Sequence, residues 1–431
     1  MIAELRDFVE LERQRGWSVA KARARRTERL RALLTHAQQQ VPYYTELFRK
    51  AGLRPEDIRE ENDLQYLPIT RKEDLRSAGD AALARNAGPI TWQHTSGSSG
   101  DPFRIALTAD EARRRRLREF RALRGIGVRP LDSLVILGTS RTRPPRLHRR
   151  LGLYRLQVIP YGVPPAEQAA LIQKARPDVL WFFPTVLKQV LSETGQPLPA
   201  LAQPRLLIAS ASVLEQAFRK QLQQALPMAK IGDFYGSTEV GRIAAGCQRC
   251  DGLHWEQDAL ILELLEDGKP VAVGEEGTVV ITNLDQWAMP LIRYEQADRC
   301  RMRPDPCPCG LPAPLLDPPL GRDPDMLRLP SGKRLSAAGL DILIKDIPGV
   351  LQYRFVQNRE AAVEAQFCFV ETPNEDFLAQ VEARVGAALP EPMEVQLRVF
   401  GRNEMQGPKF KSVVCNLPTR SEEAQASVHP N

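Results

Sequence analysis

Thr95-Ser96-Gly97-Ser98-Ser99-Gly100-Asp101-Pro102-Phe103 is the stretch around which the chain is organised. Gly97 and Gly100 allow positive φ and turn successive N–H groups toward one point, while Thr95, Ser96, Ser98 and Ser99 add hydroxyl donors. Such a loop suits phosphate. It departs from the G-x-x-x-x-G-K-[ST] loop, because Asp101 and Pro102 stand where a lysine and a hydroxyl residue are required. A surface Ser/Gly turn has the same composition, so the reading depends on what accompanies the loop.

Met228-Ala229-Lys230-Ile231-Gly232-Asp233-Phe234 reads as a short strand, and Tyr235-Gly236-Ser237-Thr238-Glu239 follows it directly. Here a hydroxyl stands beside a carboxylate: a threonine can bond a phosphate oxygen and a glutamate can hold Mg²⁺. Further on come Leu291-Ile292-Arg293-Tyr294-Glu295-Gln296-Ala297-Asp298, Gly321-Arg322-Asp323-Pro324-Asp325 and Gly407-Pro408-Lys409-Phe410-Lys411. In this order and spacing the five motifs resemble those of the adenylate-forming (acyl-CoA synthetase) superfamily. The resemblance is to its short branch, which includes the phenylacetate–CoA ligases, and it covers essentially the whole chain.

Composition agrees with a folded enzyme. The 431 residues are 43% hydrophobic and 26% charged, enough for two or three domains with their own cores. The best apolar run, Val179-Leu180-Trp181-Phe182-Phe183, is broken by Pro184 and falls well short of the ~20 residues that span a bilayer. Residues 1–7 lack the apolar core of a signal peptide, so a cytoplasmic enzyme with no membrane partner is expected. The net charge of +6 raises the question of nucleic acid. The densest basic run, Arg113-Arg114-Arg115-Arg116-Leu117-Arg118, lies on a helical pattern beside Glu111 and Glu119, with no aromatic stacking platform. A solvated helix face is expected there, ahead of a surface for the anionic tail of a nucleotide or coenzyme; nucleic acid is not expected.

Residues 1–80 read as helical, with Thr70 and Glu73 forming a capping box. Residues 81–245 read as α/β, because short apolar strands at 134–138, 156–159, 179–182 and 206–208 alternate with helices at about 165–175, 184–193 and 213–225. That alternation implies a parallel sheet covered on both faces, with ligands gathered at the carboxyl ends of its strands. Residues 246–322 read as a β-rich subdomain holding a cysteine cluster. Residues 323–431 read as a small, mobile α+β domain of strand, helix, strand, helix, strand. The fold class is therefore α/β, with 1–322 as the large unit.

The resemblance implies an acid–thiol ligase: a carboxylate displaces pyrophosphate from ATP to give an acyl-adenylate, and the thiol of CoA then displaces AMP. It assigns the Thr95–Gly100 loop to the β- and γ-phosphates, Thr238 to the α-phosphate, Glu239 to Mg²⁺ and Asp298 to the ribose hydroxyls. Tyr235 and Gly236 belong to the nucleotide wall, Arg322 lies beside the ribose at the domain junction, and Lys409 stabilises the transferring phosphoryl group. Two departures stand out. Ala211-Ser212 occupies the place of a Gly-Glu pair in relatives, and Pro324 occupies the pivot about which the small domain rotates. His94 is open between packing and liganding. The acid is expected to be aromatic, but its pocket is not legible. A carrier-protein thiol or a hydroxyl that receives AMP is the alternative acceptor, and a non-catalytic zinc-containing binding module is the alternative of another class. A homodimer is left open.

Seven cysteines, five of them between 247 and 309, argue for metal or redox chemistry over a disulfide framework. Cys247 and Cys250 form C-x₂-C, and Cys307 and Cys309 form C-x-C; four thiolates from two hairpins make a structural zinc site, with spare reduced thiols as the alternative. Some phenylacetate–CoA ligases are similar here, with Gly-Leu-His after the first cysteine, and in that pattern His254 replaces Cys250 as the fourth ligand.

Overall fold

The computed structural model describes residues 2–94, 103–139, 150, 152–322, 325–335, 340, 344, 347–369, 371–401 and 411–417. Helices α1 (Ile2–Arg15), α2 (Val19–Gln40), α3 (Pro42–Ala51) and α4 (Lys72–Ala78) open the chain. The Ser18 hydroxyl accepts the Lys21 N–H and starts α2; Pro42 forces the break before α3, where its missing N–H costs nothing. Leu30, Leu33, Leu34 and Ala37 of α2, with Tyr44 and Phe48 of α3, form one core with Ile261, Leu284 and Ile292.

The expected Thr70/Glu73 capping box does not form. Thr70 is extended and pairs with the backbone across from it, giving its N–H to Arg293 O at 2.9 Å and accepting from Glu295 N at 3.0 Å. The cap moves one residue on, and the Asp74 carboxylate accepts from Arg71 N at 2.7 Å. Backbone pairing with a distant strand outweighs the local cap, since each buried peptide group must find a partner.

Strands β1 (Ile90–His94) and β2 (Arg104–Thr108) make a hairpin whose connection is the hydroxyl-rich loop. Helix α5 (Ala109–Ile126) follows, with Thr108 and Glu111 forming a reciprocal capping box. The large sheet then builds from β3 (Ser133–Gly138), β4 (Arg155–Pro160), β5 (Val179–Phe182), β6 (Leu206–Ser210) and β7 (Lys230–Ser237). These five run parallel, in the order β4-β3-β5-β6-β7. Helices α6 (Pro165–Ala175), α7 (Pro184–Thr194) and α8 (Gln216–Ala225) cover one face. Phe120, Leu123 and Ile126 of α5 cover the other. The expected elements are all present, and the expected α/β architecture is observed.

Strands β8 (Gly241–Gly246) and β9 (Leu253–Trp255) extend the same sheet antiparallel. A second, five-stranded antiparallel sheet contains β10 (Leu260–Glu266), β11 (Lys269–Pro270), β12 (Glu276–Asn283) and β13 (Tyr294–Arg301). The chain then returns to the large sheet for β14 (Leu315–Leu316), pairing with β9, before β15 (Gly321–Arg322) closes the second sheet beside β13. The cysteine loops consequently brace the edge of the large sheet, not the interior of a separate β-subdomain as expected. Between the two sheets, Ile243, Ala244, Val279, Ile281 and Leu291 form a shared core.

Past Arg322 the chain forms a hairpin, β16 (Leu327–Arg328) with β17 (Arg334–Leu335), and a four-stranded sheet. Its strands are β18 (Val350–Arg359), β19 (Ala362–Phe369), β20 (Glu394–Val399) and β21 (Val413–Cys415), packed on α9 (Glu375–Ala388). Phe355, Phe367, Val381 and Val385 centre a core confined to residues 327–413. The expected first helix of this unit falls largely outside the described residues. Ser412, directly before β21, donates its hydroxyl to Glu215 Oε1 at 3.2 Å, at the start of α8.

The Arg-rich helix differs most from expectation. Arg118 and Arg121 of α5 are buried. Arg118 reaches Asp258 at 2.7 Å and Asp285 at 2.6 Å, and Arg121 reaches Asp258 at 2.7 Å and also pairs with Glu256. Burial opposes the charge on Asp258, yet the two guanidinium groups hold its carboxyl well below the usual range. Within the run expected to be solvated Arg114 and Arg116 are exposed, whereas Arg118, with Arg121 beyond the run, belongs to an internal ion-pair layer. Removing one partner strands buried charge, so Arg121→Met should lower unfolding free energy by about 3–5 kcal/mol. Urea denaturation that finds a loss below about 1 kcal/mol, the worth of an exposed pair, would refute the buried-network account.

Candidate active site

The Tyr235–Glu239 motif spans the end of β7 and the turn into β8, at the carboxyl edge of the parallel strands. Gly236 is required by close approach: a Cβ there would sit 2.5 Å from Gly241 O across the hairpin. The turn is tied from behind. Arg242 donates to Tyr235 O at 3.0 Å, Val240 N–H donates to Ser237 Oγ at 3.1 Å, and Asn283 Nδ2 donates to Val240 O at 3.1 Å. Arg115 of α5 donates to Thr238 O at 2.9 Å and to Glu239 O.

Asp298 arrives from the other sheet. Opposite Thr278 and Val280 of β12 stand Arg299 and Glu295, so β13 carries extra residues between them, a bulge that holds Ala297 at φ +57°. Tyr235 donates its hydroxyl to Asp298 Oδ2 at 2.8 Å, and Arg322 Nε donates to Asp298 Oδ1 at 3.1 Å. Arg322 is Asp298's direct neighbour in the β13–β15 pairing. Burial pushes the Asp298 carboxyl up, opposed by Arg322 and by the Tyr235 hydroxyl. Burial and the adjacent Asp298 push the Tyr235 phenol well above its ordinary value, which keeps it a donor. Residues 235, 298 and 322, separate in sequence, thus form one hydrogen-bonded chain across both sheets and the exit toward the small domain.

Glu239 faces a cation that sequence reasoning missed. Lys72 Nζ, from the first turn of α4, lies 3.5 Å from Glu239 Oε1 and 5.7 Å from the centre of the Phe103 ring. The Thr70/Glu73 pattern marked a helix start close by, but nothing in it pointed at residue 239. Ala211, at the glycine position of relatives, is held at φ +69°, a conformation that costs a side-chain-bearing residue about 1–2 kcal/mol. His94 is exposed at the end of β1 and takes no part in a core. The loop Thr95–Pro102, Asp323, Pro324 and Lys409 lie outside the described residues. Beside them, Lys411 Nζ pairs with Asp325 Oδ1 at 2.6 Å.

The cysteines converge as a group. Cys247 and Cys250 lie between β8 and β9, His254 lies on β9, and Cys307 and Cys309 lie between β13 and β14. Ligand atoms of Cys247, His254, Cys307 and Cys309 all fall within 4.8 Å of one another. Cys250 Sγ is 3.2 Å from Cys307 Sγ, and Cys309 Sγ is 3.3 Å from His254 Nε2. A set of four that could hold one ion therefore contains His254, and Cys250 lies in contact with two of its sulfurs, Cys247 at 3.7 Å and Cys307 at 3.2 Å. Arg303 clips the two loops together through Asp251 at 2.8 Å and Asp317 at 2.6 Å.

A parallel sheet with a Thr-Glu turn at its carboxyl edge, a buried acid on a second sheet and a small α+β domain beyond it is the architecture of an adenylate-forming enzyme. No family model matches the chain. It is 31% identical over 300 residues to the phenylacetate–coenzyme A ligase of Escherichia coli (strain K12), covering 67% of this chain and 68% of that one. It is 28% identical over 410 residues to the phenylacetate–coenzyme A ligase of Thermus thermophilus, covering 91% of this chain and 90% of that one. Among solved structures, a 2-hydroxyisobutyryl-CoA ligase in its postadenylation state superposes with a TM-score of 0.78 at 21% identity, over 96% of this chain and 94% of that one. The same ligase in its thioesterification state gives 0.64 at 20% identity, over 97% and 94%. The chain belongs to the phenylacetate–CoA ligase family and is an AMP-forming acid–thiol ligase.

The Tyr235 hydroxyl gives a direct probe of the chain of bonds through Asp298. Tyr235→Phe leaves one oxygen of a buried carboxylate without its donor, at a cost of about 1–3 kcal/mol. AMP affinity measured by calorimetry should fall, by about 5- to 150-fold where that whole cost is borne by the complex. Unchanged affinity would detach Asp298 from the ribose.

Proposed function

We propose that this chain activates an aromatic carboxylic acid and transfers it to CoA, using the residues gathered at the β7–β8 turn. The carrying observation is the hydrogen-bonded Tyr235–Asp298–Arg322 chain at the end of the strand that leads into Thr238 and Glu239, which supports reading Asp298 as the ribose acid and Thr238 and Glu239 as the phosphate and metal residues. The aromatic acid is the finer part of the reading and is supported by the named activity of the two bacterial relatives.

In the first step a carboxylate oxygen of the acid attacks the α-phosphorus of ATP, and pyrophosphate leaves. Thr238 contacts the α-phosphate, Asp298 takes the ribose hydroxyls, and Thr95–Gly100 takes the β- and γ-phosphates. Glu239 suits Mg²⁺, since its carboxylate already faces a cation, Lys72, at 3.5 Å. When bound, the ion neutralises phosphate charge as pyrophosphate departs. Lys72 then pairs with phosphate oxygens in place of Glu239. Lys409 adds positive charge to the transferring phosphoryl group, where a closed site makes it most effective. In the second step the CoA thiol loses its proton, its sulfur bonds to the acyl carbon, and AMP leaves. The higher superposition on a postadenylation arrangement supports reading this conformation as the one that serves the first step.

We read the Cys/His cluster as a structural zinc site. Three thiols and an imidazole within reach of one ion suit tetrahedral Zn²⁺, and a reducing compartment such as the cytoplasm keeps such thiols free.

ATP–pyrophosphate exchange over a panel of aryl and alkyl acids, followed by thioester assays with CoA, tests the main reading. Exchange with arylacetic or benzoic acids and CoA-dependent AMP release are expected; exchange with no acid, or AMP release that ignores CoA, overturns it. Lys409→Ala should lose exchange by about a hundredfold or more and keep thioester formation from supplied acyl-adenylate. If Lys411→Ala does so instead, the lysine is assigned two residues too early. For the cluster, elemental analysis should find about one zinc per chain, and Cys307→Ser should lose both metal and melting temperature. Metal-free protein of full stability would remove zinc from the account.

A further inference from the structure

Three arginines of α5, at 115, 118 and 121, recur every three residues on one side of the helix. Arg118 and Arg121 end on carboxylates. Arg115 does not. Its Nη1 donates to Thr238 O at 2.9 Å and lies 3.4 Å from Gln93 Oε1; its Nη2 donates to Glu239 O and to Gln286 Oε1 at 2.6 Å. Among the described residues, all of these acceptors are neutral. Burial pulls the guanidinium down to about 10, against the opposing pull of Glu111, Glu239 and Asp285. A cation kept at that cost without a direct ion pair is explained by what its shape provides, a planar fork that can hold two consecutive carbonyls.

The surroundings are arranged for that grip. Gln286 is itself held, giving its Nε2 to Met289 O at 2.7 Å, so its Oε1 presents a fixed acceptor to Arg115. Gly241 is at φ +84°, and a Cβ there would touch the Arg115 side chain at 3.4 Å. The carbonyls of 238 and 239 face α5, while the Glu239 carboxylate reaches Lys72 of α4.

We propose that Arg115 is the positioning residue of the Thr238–Glu239 turn: it locks two successive peptide planes so that the threonine hydroxyl and the glutamate carboxylate are pre-set for the nucleotide phosphates and their magnesium. It touches no substrate and acts through those two residues. The proposal rests on the reading of Glu239 as the magnesium ligand. Its consequence is selective. Ligands that need the threonine and the metal depend on Arg115, whereas adenosine, which carries the ribose and no phosphate, depends on it little.

The test compares Arg115→Met, Arg115→Lys and Glu239→Gln with wild type by calorimetry, titrating Mg²⁺ into protein with α,β-methylene-ATP, and adenosine into protein alone. Melting temperatures are read in parallel. Removing a group that orients a metal ligand costs about 10–100-fold in metal affinity. Arg115→Met should therefore raise half-saturating Mg²⁺ about tenfold or more, and Arg115→Lys should raise it several-fold, because one ammonium cannot bridge both carbonyls. Adenosine affinity should shift by less than about threefold, the scatter expected of an uncoupled site. If Arg115→Met does not fold, Arg115→Lys decides alone. Wild-type Mg²⁺ dependence in the arginine variants, beside a raised requirement in Glu239→Gln, overturns the role of Arg115 and leaves the magnesium reading intact. Unchanged Mg²⁺ dependence in Glu239→Gln overturns both. Parallel loss of adenosine and Mg²⁺ affinity with a lowered melting temperature reduces Arg115 to a structural residue.

Discussion

The buried layer of charge on α5 constrains everything around the site. Arg118 and Arg121 answer Glu256 and Asp258 from the β9–β10 connection and Asp285 from the loop after β12, and Arg29 of α2 also reaches Asp285. Charges this far from water are tolerable only when every partner is in place. The layer therefore acts as a register pin that joins the N-terminal helices, both sheets and α5. Glu111 extends the pin to the helix start, accepting from Trp287 N at 2.6 Å and Ala288 N at 2.9 Å while also capping α5. Arg115 lies between these fixed points, so its position at the catalytic turn follows from packing that the turn itself does not supply.

The site needs two sheets because its two tasks pull in different directions. Phosphate chemistry suits the carboxyl edge of a parallel sheet, where strands end in turns with free N–H groups. A buried carboxylate for ribose needs a rigid antiparallel frame and donors of its own. The bulge in β13 brings Asp298 out of the second sheet, and Tyr235 of the first reaches across to it. Arg322 closes the arrangement from β15, the last strand before the chain enters the small unit. The last strand before that unit is thus hydrogen-bonded to the buried acid of the site.

Much of this was legible from sequence. The parallel strands showed as short apolar runs ending in glycine or proline, such as Leu134–Gly138 and Val179–Phe182, because both faces of that sheet are covered. Tyr235, Thr238, Glu239, Asp298 and Arg322 were legible from motif order, and the structure brings Tyr235, Asp298 and Arg322 into hydrogen-bond contact. What stayed hidden depends on distance along the chain. An arginine-rich helix facing solvent and one facing buried acids look alike, since Glu256, Asp258 and Asp285 lie more than a hundred residues away from α5. The cap at Thr70 failed for a similar reason, its peptide being claimed by residues 293 and 295. Lys72 was invisible as a site residue because helix-start lysines are ordinary. The choice between Cys250 and His254 needed three dimensions, as both lie within four residues of each other in sequence.

The thiol cluster and the catalytic turn occupy opposite ends of one short strand. β8 starts at Gly241, beside Arg115, and ends at Gly246, directly before Cys247. Its far end is gathered by the cluster and by Arg303, and its near end by Arg115, Asn283 and Arg242. Neither set of bonds passes through the other. Loosening the cysteine loops removes a brace from the sheet edge, where β9 and β14 are only three and two residues long. It leaves every hydrogen bond of the Tyr235–Val240 turn in place. Stability and turn geometry are therefore held by separate devices, and a chain of this design can lose much of the first before it loses the second.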